Sequence, residues 1–165
     1  MFIKSNNLVI GFILLIWLAN FNVLKSNEDV YGTLIISSIN LKEKIYAKNS
    51  LYNELKYGLY LHPISTDLKS EFSNIIIASH SGNADISYFK NLDKLKINDE
   101  IKIISKKKTF LFRIINIYED KKDGNVKINR YNTKTLSLVT CKKNTTDLHL
   151  IISAVYQGKL EKKLN

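Results

Sequence analysis

The stretch TLSLVTC, Thr135 to Cys141, constrains the fold most tightly. Leu136, Leu138 and Thr140 alternate with Ser137, Val139 and Cys141, the period of a β-strand with two differently employed faces. Cys141 is the only cysteine of the chain, and Lys142, Lys143 and Asn144 follow at once. The thiol therefore stands where a buried strand emerges into a polar loop. Held there rigidly but within reach of a substrate, it suits a nucleophile with a base nearby. The alternative is a small buried hydrophobe. A single cysteine also excludes an internal disulfide, so the fold must rest on its own core.

A second run ends the same way. Asn74-Ile-Ile-Ile-Ala-Ser reads as a strand buried on both faces, and it exits at His80-Ser-Gly-Asn. If both strands leave one rim of a sheet, imidazole and thiol converge, and the pair can exchange a proton to give a reactive thiolate. A tetrahedral oxyanion would then need hydrogen-bond donors. The other histidines are His62, in a loop after Gly58, and His149, at the start of an apolar run. One cysteine and three scattered histidines lack the short ligand spacing of a zinc site. No G-x-S-x-G occurs to support a serine hydrolase. Glu54, Asp67 and Glu71 could bind Ca²⁺ but match no calcium loop and read as solvated surface, so no cofactor is expected.

The remaining pattern is mainly β. Strands are expected at Thr33–Ser37, at Lys44–Ala47, over 100–105 and 109–118 on either side of Lys106-Lys107-Lys108, and over 148–155. Ser50 to Tyr57 reads as a short helix capped by Ser50 and stopped by Gly58. Ile86 to Leu95 reads as a short helical turn with Phe89, Leu92 and Leu95 facing inward, and Glu119 to Asn125 as a charged turn. Short strands with one or two short helices imply a closed β-barrel or a sandwich.

Residues 8–24, LVIGFILLIWLANFNVL, carry no charge. As a helix they span about 25 Å, near the lower limit for crossing a bilayer. No convincing cleavage site follows, which favours an uncleaved anchor over a signal peptide. The expected organisation is a cytoplasmic tail over 1–7, a membrane helix over 8–24, a tether over 25–30, a folded body over 31–157 outside the plasma membrane, and a Lys-rich tail over 158–165. The formal net charge of +10 comes from scattered lysines; Arg113 and Arg130 are the only arginines. Without a nucleic-acid-binding motif, this diffuse charge suits an anionic surface such as lipid headgroups or a wall polymer.

Four segments, in order, resemble the sortases, membrane-anchored cysteine transpeptidases of Gram-positive bacteria. Ser137-Leu-Val-Thr-Cys141 resembles their T-L-x-T-C signature, with Ser137 in place of the first Thr. Ser79-His80, followed by Phe89, Leu92, Leu95 and the turn Asn98-Asp99-Glu100-Ile101, resembles the segment that holds the catalytic His. YGTLIISSINLKEKIY resembles the opening G-x-L-x-I-P-x-I strand pair, with Ser37 where Pro is usual, and GLYLHPIS resembles the G-V-x-H stretch. The resemblance covers about residues 31 to 156 and implies an eight-stranded β-barrel with a His-Cys-Arg site. His80 and Cys141 match by position. His149 stands where the family has Arg, and neither Arg113 nor Arg130 matches. Either His149 takes the role of Arg, or a nearby lysine does, or the enzyme is slow or inactive.

The implied activity is attack by Cys141 on a Leu-Pro-x-Thr-Gly-like sorting signal near the C-terminus of secreted proteins, then transfer to an amine of a cell-wall precursor or a pilin. Wall anchoring fits better than pilus assembly. His62 and Thr140 are expected to line the substrate. The alternatives are a cysteine protease that hydrolyses its intermediate and a catalytically weak, membrane-tethered binding protein. The stretch between Tyr118 and Thr135, which lengthens in the family to help hold the signal, is short here.

Overall fold

The computed structural model of the protein describes residues 29–160. Eight strands follow one another: β1 (Val30–Ile36), β2 (Leu41–Tyr46), β3 (Tyr60–Leu61), β4 (Asn74–Ala78), β5 (Glu100–Ser105), β6 (Lys108–Lys121), β7 (Thr135–Cys141) and β8 (Leu148–Leu160). They form one sheet in the order β2-β1-β5-β6-β8-β7-β4-β3. All pairings are antiparallel except that of β4 with β7, which is parallel. The sheet curls into a nearly closed barrel. The expected tail over 1–7 and membrane helix over 8–24 lie outside the described residues, whereas residues 158–160 of the expected C-terminal tail continue β8, because Thr109 to Leu111 of β6 offer them ladder partners. No helix among the described residues is long and apolar enough to cross a membrane.

The alternation in the sequence sets the two faces. Leu136 and Leu138 of β7 join Ile75 and Ile77 of β4, Ile101 and Ile103 of β5, and Phe112 in the barrel core. Phe89, Leu92 and Leu95, on the connection between β4 and β5, plug that core from one end, buried as their spacing predicts. Ile76, Val139 and Ile151 form a smaller cluster on the outer face, with Tyr118, Ala78 and Ile128 packed against it. Both faces of β7 are therefore covered until Cys141, its one exposed residue.

The barrel closes through a side chain where β2 and β3 lack a ladder. Asn53, in the connection between them, is buried. Its Nδ2 donates to Leu61 O at 3.0 Å, and its Oδ1 accepts from Leu61 N at 2.7 Å. The amide thus supplies β3 with the donor and acceptor that a ninth strand would offer. This corrects the expected helix over 50–57, of which only a 3-10 turn, Leu55–Tyr57, exists. Ser50 Oγ accepts from Tyr52 N at 3.2 Å, a local turn that competes with helix, and Glu54 is extended. Gly58 does end this turn, at φ 124, and a Cβ there would lie 2.2 Å from the Tyr88 ring. Two further expectations shift. β2 begins at Leu41 rather than Lys44. The charged residues Glu119 to Lys121 continue β6 instead of turning, because β8 offers them ladder partners.

Candidate active site

The strand register brings three sequence-predicted residues into one row. Along β4 and β7, Ala78 lies beside Val139, and Ser79 N donates to Val139 O at 3.2 Å, so the register continues past the strand end. Two side-chain bonds then join the strand exits. Thr140 Oγ1 donates to Ser79 O at 2.7 Å, and Ser81 Oγ donates to Cys141 O at 2.7 Å. His80, held between those two ties, lies alongside Cys141. Its own carbonyl accepts from Phe89 N at 3.1 Å, which fastens the loop to the core plug. On the other side of β7, Cys141 is the direct cross-strand partner of His149. Adjacent strands lie about 4.8 Å apart, so imidazole, thiol and imidazole follow one another across the sheet.

The row stands on the outer face, in line with Ala78, Val139 and Ile151. His80 and Cys141 are exposed and His149 is half-buried. His149 Nδ1 is buried with no hydrogen-bond partner among the described residues. Beyond it in the row comes Asp120 of β6, the direct cross-strand partner of His149. Asp120 Oδ2 accepts from Lys127 N at 2.7 Å, while Tyr118 Oη donates to Lys127 O at 2.9 Å and accepts from Asn129 N at 3.1 Å. These bonds draw the connection between β6 and β7 over the outer face, where Ile128 covers Val139 and Ile151.

Cys141 borders two cavities. One, of about 390 Å³, runs from His80 along the loop to Ser87. The other, of about 330 Å³, is bordered by Ser81, Phe89, Thr140 and Leu150 and rimmed by two ion pairs. Lys142 pairs with Glu119 at 2.7 Å and Lys143 with Asp93 at 3.2 Å. Exposed pairs of this kind add little stability. They do engage both lysines next to the thiol. Arg113 pairs with Glu100 at 3.7 Å, away from the row.

Of the two residues expected at the substrate, Thr140 borders the cavity beside Cys141 and His62 lies further back along β3. Thr140 is buried, and its hydroxyl is engaged by Ser79 O. His62 continues β3, where its N–H donates to Ile76 O at 2.9 Å. That is the level of Ile76, four residues before His80, or about 13 Å back along the strand direction. The sequence reading missed the roles of Ser81 and Asp120. The only available signal was position: Ser81 follows His80 at a strand exit, and Asp120 ends a long alternating run. Among the described residues, no group of three or more His, Cys, Asp or Glu gathers to hold a metal.

The fold is thus a nearly closed β-barrel whose parallel strand pair sets a histidine beside a cysteine. The sequence matches the sortase domain over residues 34–157, and the chain belongs to the sortase family. Solved structures agree. Sortase D5 of Clostridium perfringens is 26% identical, with 79% of this chain and 80% of that chain covered and a TM-score of 0.65. A lid mutant of sortase A from Corynebacterium diphtheriae is 22% identical over 90% of this chain and 80% of that chain, with a TM-score of 0.70. Sortase C1 of Streptococcus agalactiae is 21% identical over 81% and 70%, with a TM-score of 0.69. No curated protein matches the sequence.

Proposed function

We propose that the chain is a sortase-like cysteine transpeptidase, anchored in the plasma membrane by residues 8–24, with its N-terminus inside and its barrel outside the cell. The observation that carries this reading is the row His80, Cys141, His149, set by the register of three adjacent strands. Cys141 Sγ, as thiolate, attacks the carbonyl carbon of the Thr-Gly bond in a Leu-Pro-x-Thr-Gly-like sorting signal. The tetrahedral oxyanion accepts a hydrogen bond from the His149 ring. His149 is half-buried and faces Cys141 directly across the β7–β8 pair, which puts its ring within reach of an oxyanion formed at the thiol. His80 protonates the departing amine, and a thioester on Cys141 remains. His80 then takes a proton from the incoming amine of a wall precursor or a pilin lysine. That amine attacks the thioester carbonyl, the C–S bond breaks, and Cys141 leaves as thiolate beside the reprotonated His80. Thr140 and Ser81 hold the two exits together and so set the spacing of His80 and Cys141.

The test is product analysis. The full chain in detergent is incubated with a sorting-signal peptide, with and without an amine acceptor. The expected result is a transfer product that needs the acceptor and is lost in Cys141→Ala and His80→Ala. Hydrolysis unaffected by acceptor identifies a protease, and no turnover of a broad peptide panel identifies a binding protein.

A further inference from the structure

The end of the barrel opposite the thiol carries a cavity of about 770 Å³, larger than either cavity at Cys141. Its floor includes Tyr31, Phe110 and Tyr156. Lys69, Lys106, Lys108 and Lys134 border it against only Asp29 and Asp67. Three further observations bear on what meets this end.

The first is the turn that joins β5 to β6. Lys106 and Lys107 have φ 47 and 66. Two-residue turns with positive φ at both positions favour Asn-Gly, because L side chains with long stems are strained there. Here the chain places lysines in both strained positions, directly before a third, Lys108. Local stability does not explain that choice, whereas a need for charge at the tip does. The second is Phe72, 66% exposed. It sits beside Ser73, whose carbonyl accepts from Thr135 N at 2.7 Å, so an aromatic ring and Lys134 share this end. The third is chain geometry. Asp29 and Val30 border the cavity itself. Four residues separate Leu24, the end of the apolar stretch, from Asp29, and the five steps reach at most about 17 Å.

We infer that this lysine-rimmed end is a docking base for the anionic headgroup surface of the membrane that holds residues 8–24. Lys69, Lys106, Lys107 and Lys108 meet lipid phosphates, Lys134 being held by Ser70 O and the Tyr156 ring, and Phe72 enters the interfacial layer. The six residue steps from Thr135 to Cys141 then lift the thiol about 20 Å above the base and point the site away from the bilayer. The inference rests on the anchoring reading of residues 8–24.

The test uses the full chain in vesicles of phosphatidylcholine alone, or of equal parts phosphatidylcholine and phosphatidylglycerol. Sedimentation reports anchoring and amide hydrogen exchange reports docking. The expected result is sedimentation with both vesicles. Amides of 69–72 and 105–108 should be protected only where phosphatidylglycerol is present, and those of 80–84 and 141–147 in neither. Lys106→Asn with Lys107→Gly relieves the strained turn while it removes two charges. The double variant should fold at least as stably, yet lose protection about thirtyfold, since each lysine near an anionic surface contributes about a fivefold factor. Sedimentation without composition-dependent protection overturns the docking base and leaves the anchor standing. Protection at the thiol end instead also overturns it. Failure to sediment with either vesicle overturns the anchor and the base together.

Discussion

Replacing Thr140 by Val tests whether the site depends on a bond hidden behind it. Thr140 and Ser79 are each 4% exposed, and the Thr140 hydroxyl donates to Ser79 O at 2.7 Å. Valine fills nearly the same volume, so no cavity opens. What remains is a buried carbonyl without its donor, at a cost of about 1–2 kcal/mol. With a urea slope of about 2 kcal/mol per molar for a domain of this size, the unfolding midpoint should fall by about 0.5–1 M. Thr140→Ser keeps the donor and loses one methyl, a smaller cost of about 0.8 kcal/mol. The functional consequence goes through position. Without that tie the exit at Ser79 loosens, His80 drifts from Cys141, and thioester formation slows while peptide affinity is unchanged. Urea titration followed by tyrosine fluorescence, with single-turnover kinetics on a sorting-signal peptide, measures both effects. An unchanged midpoint with weakened peptide binding would falsify the structural role and make Thr140 a substrate contact.

Three other outcomes are expected. His149→Ala should slow formation of the Cys141 thioester by roughly 10²–10³, the usual cost of an oxyanion donor, and His149→Arg should restore it. Gly58→Ala forces a side chain to φ 124 and into the Tyr88 ring, and should cost about 2 kcal/mol, lowering Tm by about 5 °C in a thermal scan. Burial pushes the Tyr31 hydroxyl up to about 12, aided by Asp67 and opposed by the Leu68 backbone. The folded chain therefore holds that proton more tightly than the unfolded one. Stability present below about pH 10 is lost as pH rises toward 12, by on the order of 1–2 kcal/mol after allowance for partial exposure, and Tyr31→Phe should flatten this loss in urea titrations at alkaline pH.

How much of this was legible in the sequence depended on where the deciding interactions lay. β7 and β4 were readable because alternation, or an unbroken apolar run, ending in polar residues is a local signal. The inward side of Phe89, Leu92 and Leu95 followed from spacing in the same way. Ser50 to Tyr57 misled because its leucines are four apart, as in a helix, yet Leu51 is 80% exposed. Asn53 there is committed to Leu61, a bond across eight residues that no periodicity reveals. Glu119 and Asp120 looked like turn residues because they are charged; in the ladder they face Leu150 and His149 at the rim, where charge is tolerated. At the site, sequence order placed His80 and Cys141 each at a strand end. That the two ends are neighbours came only from the parallel register of β4 and β7. The tie from Ser81 to Cys141 links residues 60 positions apart and left no trace in composition.

The most direct measurement is the intact mass of the protein after rapid mixing with a sorting-signal peptide and an acid quench. The transpeptidase reading requires an added mass equal to the acyl part of the peptide. That mass should map to Cys141 on digestion, be absent from Cys141→Ala, and disappear when an amine acceptor is added. A peptide that is cleaved with no adduct on Cys141, or equally well by Cys141→Ala, would contradict it.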